Sequence, residues 1–140
     1  MKRNEQKVEN TWKTEDIFKD EAAFLACLDT CKELGNKLCD YDGKLEDASN
    51  LLSFLKEYEK LTCLLDDCLG YSSLLSDQDT ADAHHQELKG KANALAVEVF
   101  TKLSFSDVQI MQIENLESFY SSEPILERYR VYLEAVSYTH

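Results

Sequence analysis

Between residues 54 and 75, Phe54, Tyr58, Leu61, Leu65, Cys68, Ser72 and Leu75 recur at alternating steps of four and three. That spacing holds one stripe on one face of a long helix and favours near-parallel packing on a neighbouring helix at about 20°. Leu51, Leu55 and Leu69 widen the stripe. Breakers are scarce, with 4 Gly and 1 Pro in 140 residues, against a usual joint share of roughly 12%. Strands need turns, and turns need Gly, Pro and Asn, so sandwiches and barrels are excluded. The expected fold is all-α, an antiparallel bundle of about four to six helices with long helical hairpins.

The rest of the chain divides in the same way. Asp20 is the expected cap of a first helix, with Glu21 in its first turn complementing the helix dipole. Phe24, Leu28, Cys31, Leu34 and Leu38 form its apolar stripe. Asp40-Tyr41-Asp42-Gly43-Lys44 ends it, with Gly43 suited to a positive φ. A second helix is expected from Asp47, with Gly70 inside it as the place for a close crossing or a bend. Asp79 is the expected cap of a third helix, whose buried face is Leu88, Ala92, Leu95, Val99 and Leu103. Ser106 and Gln109 have the spacing of a capping box, flanked by Phe105 and Ile110 as a hydrophobic staple. Glu123-Pro124 starts a last helix, with the stripe Ile125, Tyr129, Tyr132, Leu133 and Val136. That stripe is still in full pattern at Val136, so the polypeptide is expected to continue beyond His140.

Residues 1–18 read as an N-terminal arm and residues 19–140 as a helical domain. Trp12, Ile17 and Phe18 dock the arm onto the body, because an indole is costly to leave in water. The start of the chain is polar and charged with no apolar run behind it, and no stretch approaches the roughly 18 apolar residues of a membrane span. Fifteen Lys+Arg against 27 Asp+Glu give a net charge of -12. Such a chain repels phosphates and anionic lipid, so neither nucleic acid nor membrane is an expected partner. Cys27, Cys31, Cys39, Cys63 and Cys68 are odd in number and fall inside helical patterns, the usage of reduced, mostly buried thiols in a cytoplasmic protein.

Residue chemistry assigns no catalytic, cofactor-binding or metal residue. The polar run Asp77 to Glu87 lacks the Gly of a calcium loop. His84 and His85 are adjacent, not one turn apart as in His-Glu-x-x-His, and cannot clamp one metal together. Cys27 and Cys31, one turn apart, have the spacing to join Cys63 or Cys68 in a thiolate site. Structural zinc favours closely spaced Cys pairs on loops, however, and thiols spread through apolar stripes read as small buried hydrophobes. There is no Gly-rich phosphate loop.

Four landmarks resemble the N-terminal helical region of the oligoendopeptidase F family, zinc metallopeptidases related to thimet oligopeptidase. They are Thr11-Trp12-Lys13-Thr14-Glu15-Asp16-Ile17-Phe18 with Asp20-Glu21, and the loop Tyr41-Asp42-Gly43-Lys44-Leu45. The third is Tyr71-Ser72-Ser73-Leu74-Leu75-Ser76-Asp77-Gln78-Asp79-Thr80, followed by Gln86 and Lys91-Ala92. The fourth is the closing run Pro124, Leu126, Tyr129, Tyr132-Leu133-Glu134 and His140. The resemblance implies part of the wall of a channel that admits short peptides, inactive alone. It implies that zinc and its His-Glu-x-x-His helix belong to a catalytic domain outside these residues. That domain and short peptides are then the expected partners, with self-association through exposed apolar surface as a further one. The alternative is a stand-alone acidic helical module that docks a partner helix.

Overall fold

A computed structural model describes residue 14 and residues 16–137. The elements are α1 (Glu21–Leu38), a 3₁₀ turn (Cys39–Tyr41), α2 (Ala48–Gln78), α3 (Ala83–Lys102), α4 (Phe105–Met111), α5 (Leu116–Ser122), a 3₁₀ segment (Pro124–Tyr129) and α6 (Arg130–Ser137). No strand occurs among the described residues, and the fold is all-α.

Capping chemistry sets the first two boundaries where the sequence predicts them. The Asp20 carboxylate accepts from the Ala23 N–H at 2.9 Å, and that of Asp47 accepts from the Asn50 N–H at 3.0 Å. Between them Gly43 takes φ +82, which frees the chain to reverse. Leu45 then plugs the core.

The three long helices form two antiparallel hairpins that share α2. Phe24, early in α1, stacks on Tyr71, late in α2, with ring centroids 5.1 Å apart. Gln86 Nε2 donates to Ser76 Oγ at 2.7 Å across the next hairpin. Consequently α1 and α3 run in the same direction. They are tied at one end by His84 and Glu21 (2.6 Å) and at the other by Lys102 Nζ donating to Asn36 Oδ1 (2.9 Å).

The stripes read from spacing supply the core. Phe24, Leu28, Cys31 and Leu38 of α1 meet Phe54, Leu61, Leu65, Cys68 and Ser72 of α2, and Leu88, Ala92 and Val99 of α3 close the layer. Each large apolar side chain buried in this way contributes about 1.5–3 kcal/mol. Leu34, Tyr58, Leu75 and Leu95 lie at the margins, half-buried. Ile17 and Phe18 pack on the core, the Phe18 ring meeting Phe24 at 6.0 Å and Tyr71 at 5.3 Å. Trp12 and His140 lie outside the described residues.

Four local expectations are corrected. The cap of α3 is Asp82, not Asp79. Asp82 is extended and its Oδ1 accepts from both His84 N–H (2.8 Å) and His85 N–H (3.3 Å), whereas Asp79 closes a short turn on Ala81 N–H. The capping box at Ser106 does not form. The chain passes from α3 into α4 through Ser104, itself in helical conformation, which leaves no extended residue to cap from. Ser106 Oγ instead donates to the Leu103 carbonyl at 2.8 Å, and Gln109 Nε2 reaches Asp42 Oδ1 at 2.7 Å. The close crossing lies at Gly35 rather than Gly70: a Cβ at 35 would sit 3.2 Å from Val99 Cγ2, while one at 70 would meet only Ile17 at an ordinary 3.7 Å. Pro124 opens a 3₁₀ segment, in which side chains three apart eclipse. Leu126 and Tyr129 therefore face inward together, and Ile125 turns out to 46% exposure.

Candidate functional site

Residues carrying the family resemblance have local structural duties. Tyr41 packs edge-on against Phe54 at 5.7 Å and anchors the loop that Gly43 turns. Tyr71 completes an aromatic cluster with Phe18 and Phe24. Gln86, besides its bond to Ser76, donates to the Thr80 carbonyl at 3.4 Å, so one amide fastens both sides of the α2–α3 hairpin. These positions build the scaffold.

The C-terminal turns are held by Arg130. Its guanidinium donates to Glu117 (2.9 Å), Glu127 (2.6 Å) and Glu134 (2.9 Å), and its Cζ lies 4.2 Å from the Tyr120 ring centroid. Its hydrogen bonds to Glu127 and then to Glu117 raise its pKa further, so it stays charged. One residue thereby joins α5, the 3₁₀ segment and α6.

Between α2 and those turns lies a groove of about 270 Å³, lined by Leu55, Tyr58, Glu59, Thr62, Arg128, Tyr129 and Tyr132. The Tyr129 hydroxyl donates to Glu59 Oε2 at 2.7 Å, and Arg128 stands 5.9 Å from the Tyr129 ring. Tyr58 and Tyr132 face each other with centroids 6.3 Å apart. Burial raises the pKa of both phenols, with Asp107 adding to the rise, so both are neutral near pH 7. Tyr129 is raised by burial and by its bond to Glu59. The groove thus offers neutral hydroxyls, one carboxylate and one guanidinium around an apolar floor. Such a set can hold the polar backbone of a short chain by hydrogen bonds. Tyr58, Tyr129 and Tyr132 were readable only as stripe positions; their convergence depends on how the 3₁₀ segment, and Tyr132 just after it, lie against α2.

The titratable residues weighed in the sequence are dispersed, with one exception. His84 pairs with Glu21, and its pKa rises through that hydrogen bond and charge; His85 Nδ1 sits 3.8 Å from Asp82 Oδ2. The pair does not converge on one point. Cys63 is exposed, and Cys39, in the 3₁₀ turn, donates to the Gly35 carbonyl in the last turn of α1. The sulfurs of Cys27, Cys31 and Cys68, by contrast, all lie within 4.8 Å of one another. A hydrogen bond shared with Cys68 holds the Cys31 thiol below its usual range and pushes that of Cys68 up, while burial raises Cys27. The catalytic zinc of a His-Glu-x-x-His peptidase has no matching donors in this sequence, because that motif is not in it.

No protein-family model matches the chain, and no solved structure matches at a significant level. Among curated proteins, oligopeptidase PepF of Bacillus subtilis (strain 168) is 32% identical over 138 residues, which is 96% of this chain and 21% of that protein. Group B oligopeptidase PepB of Streptococcus agalactiae serotype III (strain NEM316) is 31% identical over 99 residues, 69% of this chain and 16% of that protein. The chain therefore spans about a fifth of the length of the first relative and about a sixth of the second. Along 96% of its own length the chain is similar to an oligopeptidase, in keeping with its resemblance to the N-terminal region of the oligoendopeptidase F family.

Proposed function

We propose that this chain is the N-terminal helical domain of an oligoendopeptidase F-like metallopeptidase, forming part of the wall around its peptide channel. The observation that carries this is the 32% identity to an oligopeptidase over nearly the whole chain, matched to only a fifth of that protein. The intact enzyme would hydrolyse short peptides with zinc held by its catalytic domain, and the helical domain alone would be inactive. The groove between α2 and the C-terminal turns supports a peptide-facing role, since its hydroxyls, carboxylate and guanidinium suit backbone amides and termini. Outward-facing Val97 and Phe100, one turn apart on α3, supply apolar surface that the catalytic domain would cover. The five unpaired thiols support a cytoplasmic location for the parent enzyme.

The test is a chimera in which this chain replaces the matched segment of the Bacillus subtilis PepF. The chimera is expected to cleave a quenched fluorescent short peptide, while PepF lacking the segment and this chain alone are expected not to. A folded chimera without activity, or zinc-dependent hydrolysis by the lone chain, overturns the reading. Capture of a defined partner helix by the lone chain, with the chimera inactive, would favour the interaction module instead.

A further inference from the structure

We propose that Cys27, Cys31 and Cys68 form a binding site for one soft, thiophilic d10 cation, separate from any catalytic zinc. Their sulfurs already lie within 4.8 Å of one another. A metal–sulfur bond of about 2.3 Å requires sulfurs roughly 4 Å apart, so closure asks for less than about 1 Å of movement at each pair. Small side-chain rotations supply that without moving either backbone.

The scaffold favours such a site. Cys27 and Cys31 are one turn apart on α1 and project from one face. Cys68 comes from the facing stretch of α2, where the two helices are locked by the Phe24–Tyr71 stack a turn away. Ligands carried on packed helices keep their geometry better than ligands on loops. Cys31 and Cys68 are buried, whereas Cys27 is half-buried and opens the site to solvent, which provides an entry path and a free coordination position. The Cys27 thiol reaches the Leu64 carbonyl at a long 3.9 Å, and its other hydrogen-bond partners are Cys31 and Cys68 themselves, so little is lost when it turns to a metal.

Donor chemistry selects the occupant. Three sulfur donors favour soft cations such as Cu(I) and Zn(II), and offer nothing to Ca(II) or Mg(II). As small buried hydrophobes alone, three thiols had no need to converge on one point. Separation from the proposed peptidase zinc is chemical: that site requires His and Glu donors, and this one is all thiolate.

Titration of the full chain with Cd(II), under a non-thiol reductant, is expected to give one tightly bound equivalent and an ultraviolet sulfur-to-metal charge-transfer band. Parallel titrations with Zn(II) and with Cu(I), each against a colorimetric chelator, separate the two sources. At least one should compete for a single equivalent. Cys27→Ala, which suits a helix and leaves the buried pair in place, should weaken binding tenfold or more. Cys31→Ala and Cys68→Ala, checked for folding by circular dichroism, should abolish the band. Cys63→Ser should leave it unchanged. Absence of stoichiometric binding by all three ions overturns the proposal, as does a band that survives in folded Cys31→Ala and Cys68→Ala. Because the readout is metal binding by this chain, failure here is distinguishable from failure of the peptidase assignment.

Discussion

Gly35 of α1 and Val99 of α3 meet so closely that a Cβ on residue 35 would lie 3.2 Å from Val99 Cγ2. Both residues are buried, and a valine in a helix has little χ1 freedom with which to retreat. Gly90, also inside a helix, has nothing within 4 Å of the same virtual atom. Gly90→Ala should therefore stabilise the fold by about 0.5–1 kcal/mol. Gly35→Ala should gain none of this, and Gly35→Leu should cost about 1–3 kcal/mol through overpacking. Urea denaturation of the three variants checks the order. Equal gains from both alanines would show that α1 and α3 are farther apart than described.

The link between His84 and Glu21 makes stability depend on pH. The pKa of His84 in the folded chain lies above its unfolded value of about 6.5. Its contribution is therefore fully present below that value and is lost as pH rises through the folded one. Thermal melts at low salt should show wild type exceeding His84→Gln at about pH 6, with the gap closing by about pH 8.5. A gap that widens with rising pH would have the wrong sign for this pair.

Phe24 is fully buried between Phe18 and Tyr71. Phe24→Ala should cost about 3–5 kcal/mol, a large share of the stability of a domain this size. Phe18→Ala, at a half-buried position, should cost clearly less. Calorimetry or denaturant titration reads the difference, and Phe24→Leu keeps a measurable folded state if the alanine variant does not. Comparable losses at the two positions would argue that the segment around Phe18 is as integral as α1.

Two aspartates compete for the start of α3, and only Asp82 holds two helix N–H groups. Asp82→Ala should lower the melting temperature more than Asp79→Ala, whose bond to Ala81 closes a turn outside the helix. The reverse order would restore Asp79 as the cap.

Periodicity made most of the core legible. Phe24, Cys31, Leu61, Leu65, Leu88 and Val99 were placed by spacing alone and are buried, because an amphipathic helix carries its packing face in its own sequence. Choices between similar local signals were not legible. Ser106 with Gln109 has the right spacing for a box, but the partners that win are Leu103 and Asp42, the latter 67 residues away. Helix α5 was missed because Asn115, its cap, is followed by only seven helical residues, too few for a period to show. The groove and the thiol cluster share a deeper reason. Each depends on the register between two helices, such as which turn of α2 lies opposite Cys27. Spacing within one helix does not specify that register.

The unbroken run of α2 has a mechanical consequence. Its 31 residues span about 46 Å, with α1 and α3 against its flanks and α5 with the 3₁₀ segment also leaning on it. Helical phase along one rod thus sets the angle between those two groups of elements. Adding a single residue mid-rod would turn one group about 100° relative to the other, and the thiol cluster and the groove would no longer keep their present bearing.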